Sequence, residues 1–185
     1  VLKDMSQYNA EFLFPGHGPL IQGKDTIKEI LLNTSNCLLW IEENVLKLMN
    51  QGSTLRNIQD KITLPEEFNQ PYLVSSYDDF TFLINSVWRQ YGGWYSGIPS
   101  ELKPPSLFDM GRAYIDMAGG KENLLLFLQS LLAENKYKEA SVLIDSISAV
   151  EPVFYRDIKN AIYSFLADHE PSLMAKGIYN FNLDT

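Results

Sequence analysis

The sequence predicts an all-α protein, a helical bundle preceded by one short strand and loop. Three observations carry this. After residue 25, apolar residues recur at intervals of three, four and seven, the period of a helix with one buried face. The stretches are separated by helix-ending residues, at Gly52, Gly119-Gly120, Asn135 and Pro152. The only strand-like run joined to an irregular loop, Glu11–Phe14 followed by Pro15, Gly16, Gly18 and Pro19, is confined to the first twenty-odd residues.

Taken in order, residues 3–10 read as the end of a surface helix and Glu11–Phe14 as a strand. A long helix follows from about 25 to 51, with Asp25 as its N-cap and a left-handed cap at Gly52. At about 1.5 Å per residue it would be about 39 Å long. Its apolar stripe is Ile27, Ile30, Leu31, Leu38, Ile41, Val45, Leu48 and Met49, and its length invites a partner. Ser53 opens a short helix with Leu55, Ile58 and Ile62 inward, and Pro65 opens another over Glu66–Gln70. Asp78-Asp79 supplies an N-cap for a helix from Phe80 to Tyr91, whose inward side is Phe80, Leu83, Ile84, Val87 and Tyr91. Residues 92–105 form a loop pinned by Pro99, Pro104 and Pro105. Helices are expected at about 106–117, 121–134, 136–150, 153–169 and 171–178. The last four pair as antiparallel hairpins, with Leu124, Leu128, Leu131 and Leu132 facing Ala140, Leu143, Ile144 and Ile147.

Composition bounds the function. The 185 residues are 45% hydrophobic and 21% charged, an ordinary globular balance. The formal net charge of −8, with no dense basic run, argues against nucleic-acid binding and against an anionic membrane surface. No apolar run reaches the roughly 18 residues of a membrane span. One cysteine, Cys37, excludes an internal disulfide and leaves the compartment open, cytoplasmic or exported. The chain starts at Val1 without a signal-peptide layout and reads as one already under way. Aromatic residues, at 12%, are abundant enough to suggest interfaces rich in rings.

Two short segments could carry chemistry. In Phe14-Pro15-Gly16-His17-Gly18-Pro19 a histidine sits between glycines in a loop fixed by two prolines, a setting that suits a metal ligand or an ordinary loop residue in equal measure. One histidine is too few for zinc, which takes three or four protein ligands, and the chain has no His-x-His-x-Asp-His run. His169, beside Pro171 at a helix end, reads as solvated. In Gly93-Trp94-Tyr95-Ser96-Gly97-Ile98-Pro99-Ser100, Gly92, Gly93 and Gly97 allow tight turns, Trp94 could anchor the loop in the core, and Tyr95 could present a hydroxyl at its tip. Arg89, Lys103 and Arg112 are the nearest cations in sequence and read as solvated charges.

Leu13–Gly23 resembles the late metal-histidine loop of metallo-β-lactamase-fold hydrolases. That resemblance implies that residues 1–24 are the C-terminal remnant of such a domain, with His17 a ligand of the second of two zinc ions. The other ligands would then lie upstream, and the ions would not be retained by this chain alone. Residues 25–185 resemble the alkyl-sulfatase dimerisation domain, the helical module that follows the catalytic domain in linear alkyl sulfatases. The match runs from about Ile27 to Asn182. It is sharpest at Leu48-Met49-Asn50-Gln51-Gly52, Gln90–Pro99, Leu102-Lys103-Pro104 and Ala118-Gly119-Gly120. It implies a homodimer formed through the helical domain, a corner that covers the active site, and a contact from Tyr95 to the substrate's sulfate. Small-molecule substrate would be handled only by the full-length enzyme.

This sequence also departs from the sulfatase pattern. It has Ile98 where those enzymes carry asparagine before the proline. It has no histidine in Thr81-Phe82-Leu83-Ile84, where they carry one assigned to protonate the leaving group, and Phe82 or Leu83 cannot transfer a proton. It has Gly18-Pro19 where they have Trp-Pro. The resemblance therefore implies the architecture more firmly than sulfate-ester hydrolysis, and another ester, a thioester or a lactam fits the residues as well. Two rival readings follow from the residues themselves. One is an independent metalloenzyme with His17 joined by Glu11, Asp25 or Asp78; the other is a tetratricopeptide-like, non-catalytic scaffold binding a peptide through residues 121–178.

Overall fold

The computed structural model describes residues 1–183. The chain divides into two compact units, Val1–Leu102 and Lys103–Thr185. The first holds α1 (Leu2–Met5), β1 (Phe12–Leu13), β2 (Ile21–Gln22), α2 (Lys24–Asn50), α3 (Leu55–Lys61), a 3-10 turn at Glu66–Phe68, α4 (Phe80–Gly92) and a second 3-10 turn at Pro99–Glu101. The second holds α5 (Leu107–Met117), α6 (Lys121–Ala133), α7 (Tyr137–Ile147), α8 (Pro152–Asp168) and α9 (Leu173–Phe181). The all-α class with a short strand segment is as the sequence predicts. Among the described residues no helix is long and apolar enough to cross a membrane.

The strand segment is a two-residue antiparallel pair, Phe12 opposite Gln22 and Leu13 opposite Ile21. The sequence predicts only the first strand. Its partner is too short to show a period, and the Pro15–Pro19 loop is what returns the chain to it. Gly23, at φ 109°, then caps α2 through its backbone, with its N–H bonded to the Glu11 carbonyl at 3.0 Å. Asp25, expected as the cap, lies instead in the first turn of α2, where its charge still favours the positive end of the helix dipole.

Along α2 the buried residues are Ile27, Leu31, Cys37, Ile41 and Val45. Leu38, expected on this stripe, is 40% exposed. Steps of four from Val45 back to Ile41 and Cys37 set the inward face, and Leu38 lies about 100° from Cys37 around the helix. The helix ends in a Schellman motif. Gly52 adopts φ 79°, its N–H bonds the Met49 carbonyl at 2.9 Å, and the Ser53 N–H bonds the Leu48 carbonyl at 3.0 Å.

The α2 stripe is covered by Ile58 and Ile62 of the α3 region and by Ile84 and Trp88 of α4. Each aliphatic side chain so buried contributes about 1.5–3 kcal/mol. Two details differ from the sequence reading. Thr54, not Ser53, caps α3, its hydroxyl accepting from the Asn57 N–H at 3.3 Å. Trp88, not Tyr91, follows Ile84 on the inward face of α4, and Tyr91 is about half exposed, its hydroxyl donating to Glu42.

In the second unit the core is the facing set expected from the sequence. Leu124, Leu128 and Leu131 of α6 meet Ala140, Ile144 and Ile147 of α7, and Tyr155, Ile158 and Ile162 of α8 complete it. Two further Schellman turns link these helices. Gly119, at φ 76°, ends α5 with the Gly120 N–H on the Ile115 carbonyl at 2.9 Å; Asn135, at φ 59°, ends α6 with the Lys136 N–H on the Leu131 carbonyl at 2.8 Å. α5 packs closely on α7 because Gly111, buried in the middle of α5, presents no side chain to the Ser146 backbone.

Candidate functional site

The two segments singled out in the sequence lie in the first unit, each on its own support. The Gly92–Pro99 corner is built on α3 and α4. Trp88 reaches from α4 and donates its indole N–H to the Tyr95 carbonyl at 2.9 Å. The Leu55 N–H, at the start of α3, donates to the Ser96 carbonyl at 2.9 Å. Gly97 has φ 87° and sits so close to α3 that a Cβ would lie 3.2 Å from Thr54 Cα, so both backbone angle and space require glycine there. Gly93 turns the chain out of α4 at φ 77°.

Pro99 then opens the second 3-10 turn, and Glu101 folds back over the corner. Its carboxylate accepts from the Ser96 hydroxyl and pairs with Arg56 at 2.6 Å. That ion pair is mostly exposed and contributes no more than about 1 kcal/mol. The corner is therefore held by backbone bonds and one indole rather than by its own aromatic tip. Trp94, expected to be the core anchor, is 76% exposed and makes an edge contact with Tyr95. Trp88 does the anchoring. Its position four residues after the buried Ile84 is the signal that could have assigned it from the sequence.

His17 lies on the exposed Phe14–Leu20 loop, its ring stacked on Tyr77 with centroids 3.9 Å apart and planes 17° from parallel. Tyr77 stands at the rim of a cavity of about 230 Å³ between α2, α4 and the 72–79 segment. Cys37, Ile41, Leu64, Phe80 and Leu83 give that cavity an apolar lining, and Thr34, Ser75, Ser76, Asp78 and Asp79 add polar groups to it. Burial pushes the Cys37 thiol above its usual range, so it stays protonated and acts as a small apolar residue. Asn33 on α2 donates to the Tyr72 hydroxyl at 2.7 Å and holds the 72–79 segment down. Sequence reasoning missed Tyr77 because nothing in a lone tyrosine predicts a partner sixty residues away.

The carboxylates proposed to join His17 are engaged separately. Glu11 pairs with Lys24 at 3.2 Å, Asp78 accepts from the Asp79 N–H at 2.9 Å, and Asp25 is in the first turn of α2. Asp79 caps α4, accepting from the Thr81 N–H at 2.7 Å, as expected of that pair. Among the described residues no three histidine, cysteine, aspartate or glutamate side chains come together as a metal site. The residues present therefore do not fit a zinc ion by themselves. Arg89, Lys103 and Arg112 are exposed, and His169 ends α8 with its ring on Phe165, as a helix-terminal residue should.

In the Thr81–Ile84 stretch, where the resemblance implies a proton donor, Phe82 and Leu83 are part-buried on α4 and bring only apolar side chains. What the first unit offers chemically is a largely apolar cavity lined in part by Tyr77, on whose ring His17 stacks, and a rigid corner presenting Trp94 and Tyr95.

The comparisons with known proteins agree with this architecture. A linear primary-alkylsulfatase from Pseudomonas sp. (strain ATCC 19151) is 26% identical over 127 residues, covering 68% of this chain and 24% of that protein. The alkyl/aryl-sulfatase BDS1 of Saccharomyces cerevisiae is 21% identical over 131 residues, covering 70% of this chain and 20% of that protein. The chain thus spans about a quarter or less of the length of these curated relatives. Among solved structures, the stereoselective inverting sec-alkylsulfatase Pisa1 from Pseudomonas sp. superposes with a TM-score of 0.83 over 91% of this chain and 27% of that one, at 23% identity, which establishes the shared fold. The model of the alkyl sulfatase dimerisation family matches residues 54–184, from the Thr54 cap through the corner and all of the second unit's helices. By that match the chain belongs to the alkyl sulfatase dimerisation family.

Proposed function

We propose that this chain is the helical dimerisation and active-site-covering module of a larger hydrolase, residues 25–185 forming the module and residues 1–24 the tail of a metallo-β-lactamase-fold domain. The observation that carries this is the family match over residues 54–184, which takes in the Gly92–Pro99 corner together with the helices that support it. In this reading Tyr95 borders the substrate and the corner is rigid because it must hold that position. His17 would supply one ligand to zinc in the whole enzyme, with the remaining ligands contributed from outside these 185 residues.

With Phe82 and Leu83 unable to supply a proton to a leaving group, another ester, a thioester or a lactam is as well supported as a sulfate ester. Sedimentation velocity on the purified chain tests the module reading directly. A concentration-dependent dimer is expected, and a strict monomer at high concentration refutes it. Elemental analysis of the same sample tests the metal assignment. Substoichiometric zinc is expected, and one tightly held zinc per chain would instead favour an independent metalloenzyme.

A further inference from the structure

We propose that α9 is the centre of the contact between two copies of this chain, packed antiparallel about a twofold axis that passes between Gly177 and Ile178. The proposal rests on the dimerisation reading above and names the surface that serves it. α9 has one inward side, where Ala175 is buried and Tyr179 approaches Tyr163 at 6.1 Å between centroids. The opposite side is apolar throughout. At 3.6 residues per turn, Leu173, Gly177, Phe181, Met174 and Ile178 fall within an arc of about 140°. The four side chains of that arc are 60%, 89%, 43% and 56% exposed for Leu173, Phe181, Met174 and Ile178. Lys176, the only charged residue of the helix, lies outside the arc and is half-buried.

Two observations select a second copy as the occupant. The family to which the chain belongs is one of dimerisation, and this face lies within the matched residues 54–184. The chain also carries a net charge of −8, so a contact between two copies costs least where no carboxylate stands. Within Leu173–Phe181 the outer arc of α9 carries no carboxylate. Elsewhere, the exposed Leu38 and Leu39 of α2 have Glu42 and Glu43 close by in sequence.

The pattern is also self-complementary, as a twofold contact demands. With the axis between residues 177 and 178, Met174 stands opposite the partner's Phe181, and Gly177 stands opposite the partner's Ile178. A Cβ at Gly177 would meet nothing within 4 Å in the single chain, so the space above it is open to a neighbour's side chain. One helix face is smaller than the roughly 800 Å² per partner of a stable interface, so α9 forms the apolar centre and flanking surface the rim.

The test uses the 185-residue chain. Ile178→Glu places a carboxylate at the axis in both copies and is expected to weaken the dimer roughly 100-fold by sedimentation, with circular dichroism unchanged. Raising the salt concentration is expected to tighten the wild-type dimer, because it screens the like charges and leaves the apolar centre intact. Independently, Met174→Cys and Phe181→Cys chains are mixed and treated with a short bifunctional maleimide, buried Cys37 being shielded. Cross-linking between the two variants is expected to exceed that within either, since residues 174 of the two copies are about 10 Å apart along the axis at 1.5 Å per residue. A dimer that survives Ile178→Glu and gives no mixed cross-link overturns the assignment to α9 while leaving the dimerisation reading in place, the face then belonging to another occupant. A chain that never dimerises removes both.

Discussion

Gly111 offers the sharpest test of the packing described for the second unit. It sits inside α5, where glycine normally costs a helix about 1 kcal/mol relative to alanine. Alanine would therefore be expected to help, were the site open. It is not open: a Cβ there would lie 2.3 Å from the Ser146 carbonyl oxygen and 2.7 Å from Val150 Cγ2. Carbon and oxygen rest at about 3.3 Å or more, so α5 would have to retreat from α7 by about 1 Å. The obstacle is backbone and cannot rotate away. Retreat also loosens Tyr114 and Ile115, which pack against the buried cluster. Overpacking of this kind costs about 1–3 kcal/mol, and a backbone obstacle places Gly111→Ala at the upper end. Subtracting the helix gain leaves a net loss of about 2 kcal/mol. Urea unfolding followed by far-UV circular dichroism is the assay, because all three tryptophans lie in the first unit and fluorescence would not report this region. With slopes of about 1–3 kcal/mol per M, the midpoint should fall by about 1 M. Gly177→Ala provides the contrast. With nothing within 4 Å of its Cβ, it should raise stability by up to about 1 kcal/mol in dilute solution. A Gly111→Ala protein as stable as wild type, or more so, would refute the close approach of α5 and α7.

Three further outcomes are expected. Gly97→Ala forces a side chain into φ 87° against Thr54 and should cost about 1–2 kcal/mol while shifting the emission of the tryptophans beside the corner; an unaltered spectrum and midpoint would contradict the geometry given for it. Trp88→Phe removes the donor to the Tyr95 carbonyl and should destabilise the first unit by about 1–3 kcal/mol, whereas Trp94→Phe, at an exposed ring, should change stability by less than about 0.5 kcal/mol; equal losses would put the anchor at the wrong tryptophan. Burial, with help from Glu151 and Glu122, raises the Tyr155 hydroxyl from 10.0 to about 12. A folded-state value above the unfolded one stabilises the protonated folded form, so this group's contribution to stability should be flat up to about pH 9.5 and fall by roughly 2 kcal/mol between pH 10 and 12. A Tyr155→Phe chain should lose less over the same range, and identical titrations would exclude this hydroxyl as the source.

How much was legible in the sequence follows from which forces are local. Caps and helix ends were readable because glycine and asparagine at positive φ report the backbone directly, as at Gly52, Gly119 and Asn135. The α6–α7 core was readable because both faces keep one period over a short span. On α2 the inward face had to be chosen between Cys37 and Leu38, adjacent residues about 100° apart, and hydrophobicity alone selects leucine. Only the surfaces contributed by α3 and α4 decide it for cysteine. The corner shows the same limit. Trp88 and Trp94 are alike in type, and what separates them is that α4 is still helical at residue 88 and has ended by residue 94. The His17–Tyr77 stack joins two irregular loops, for which no periodic signal exists.

The chemistry of the second unit points the same way as its family. Apart from the Ser148 hydroxyl, which is buried without a partner, its buried side-chain polar groups are taken up by neighbouring side chains and backbone. The Tyr155 hydroxyl donates to the Lys121 carbonyl at 3.1 Å, Tyr163 donates to Asp145, and Ser172 caps α9 by accepting from the Ala175 N–H at 3.3 Å. Both tyrosines are displaced upward by burial, away from neutrality, so neither exchanges a proton near pH 7. A catalytic centre needs the opposite arrangement, with a group tuned toward the working pH and left partly unsatisfied. Satisfied cores buy rigidity, and rigidity is useful where a surface must be presented in one orientation. Among the exposed apolar side chains are Trp94 at the corner of the first unit and the outer face of α9 in the second. Apolar groups at such exposure are costly in water and gain from being covered. Substitutions at those two surfaces should therefore alter assembly before they alter stability.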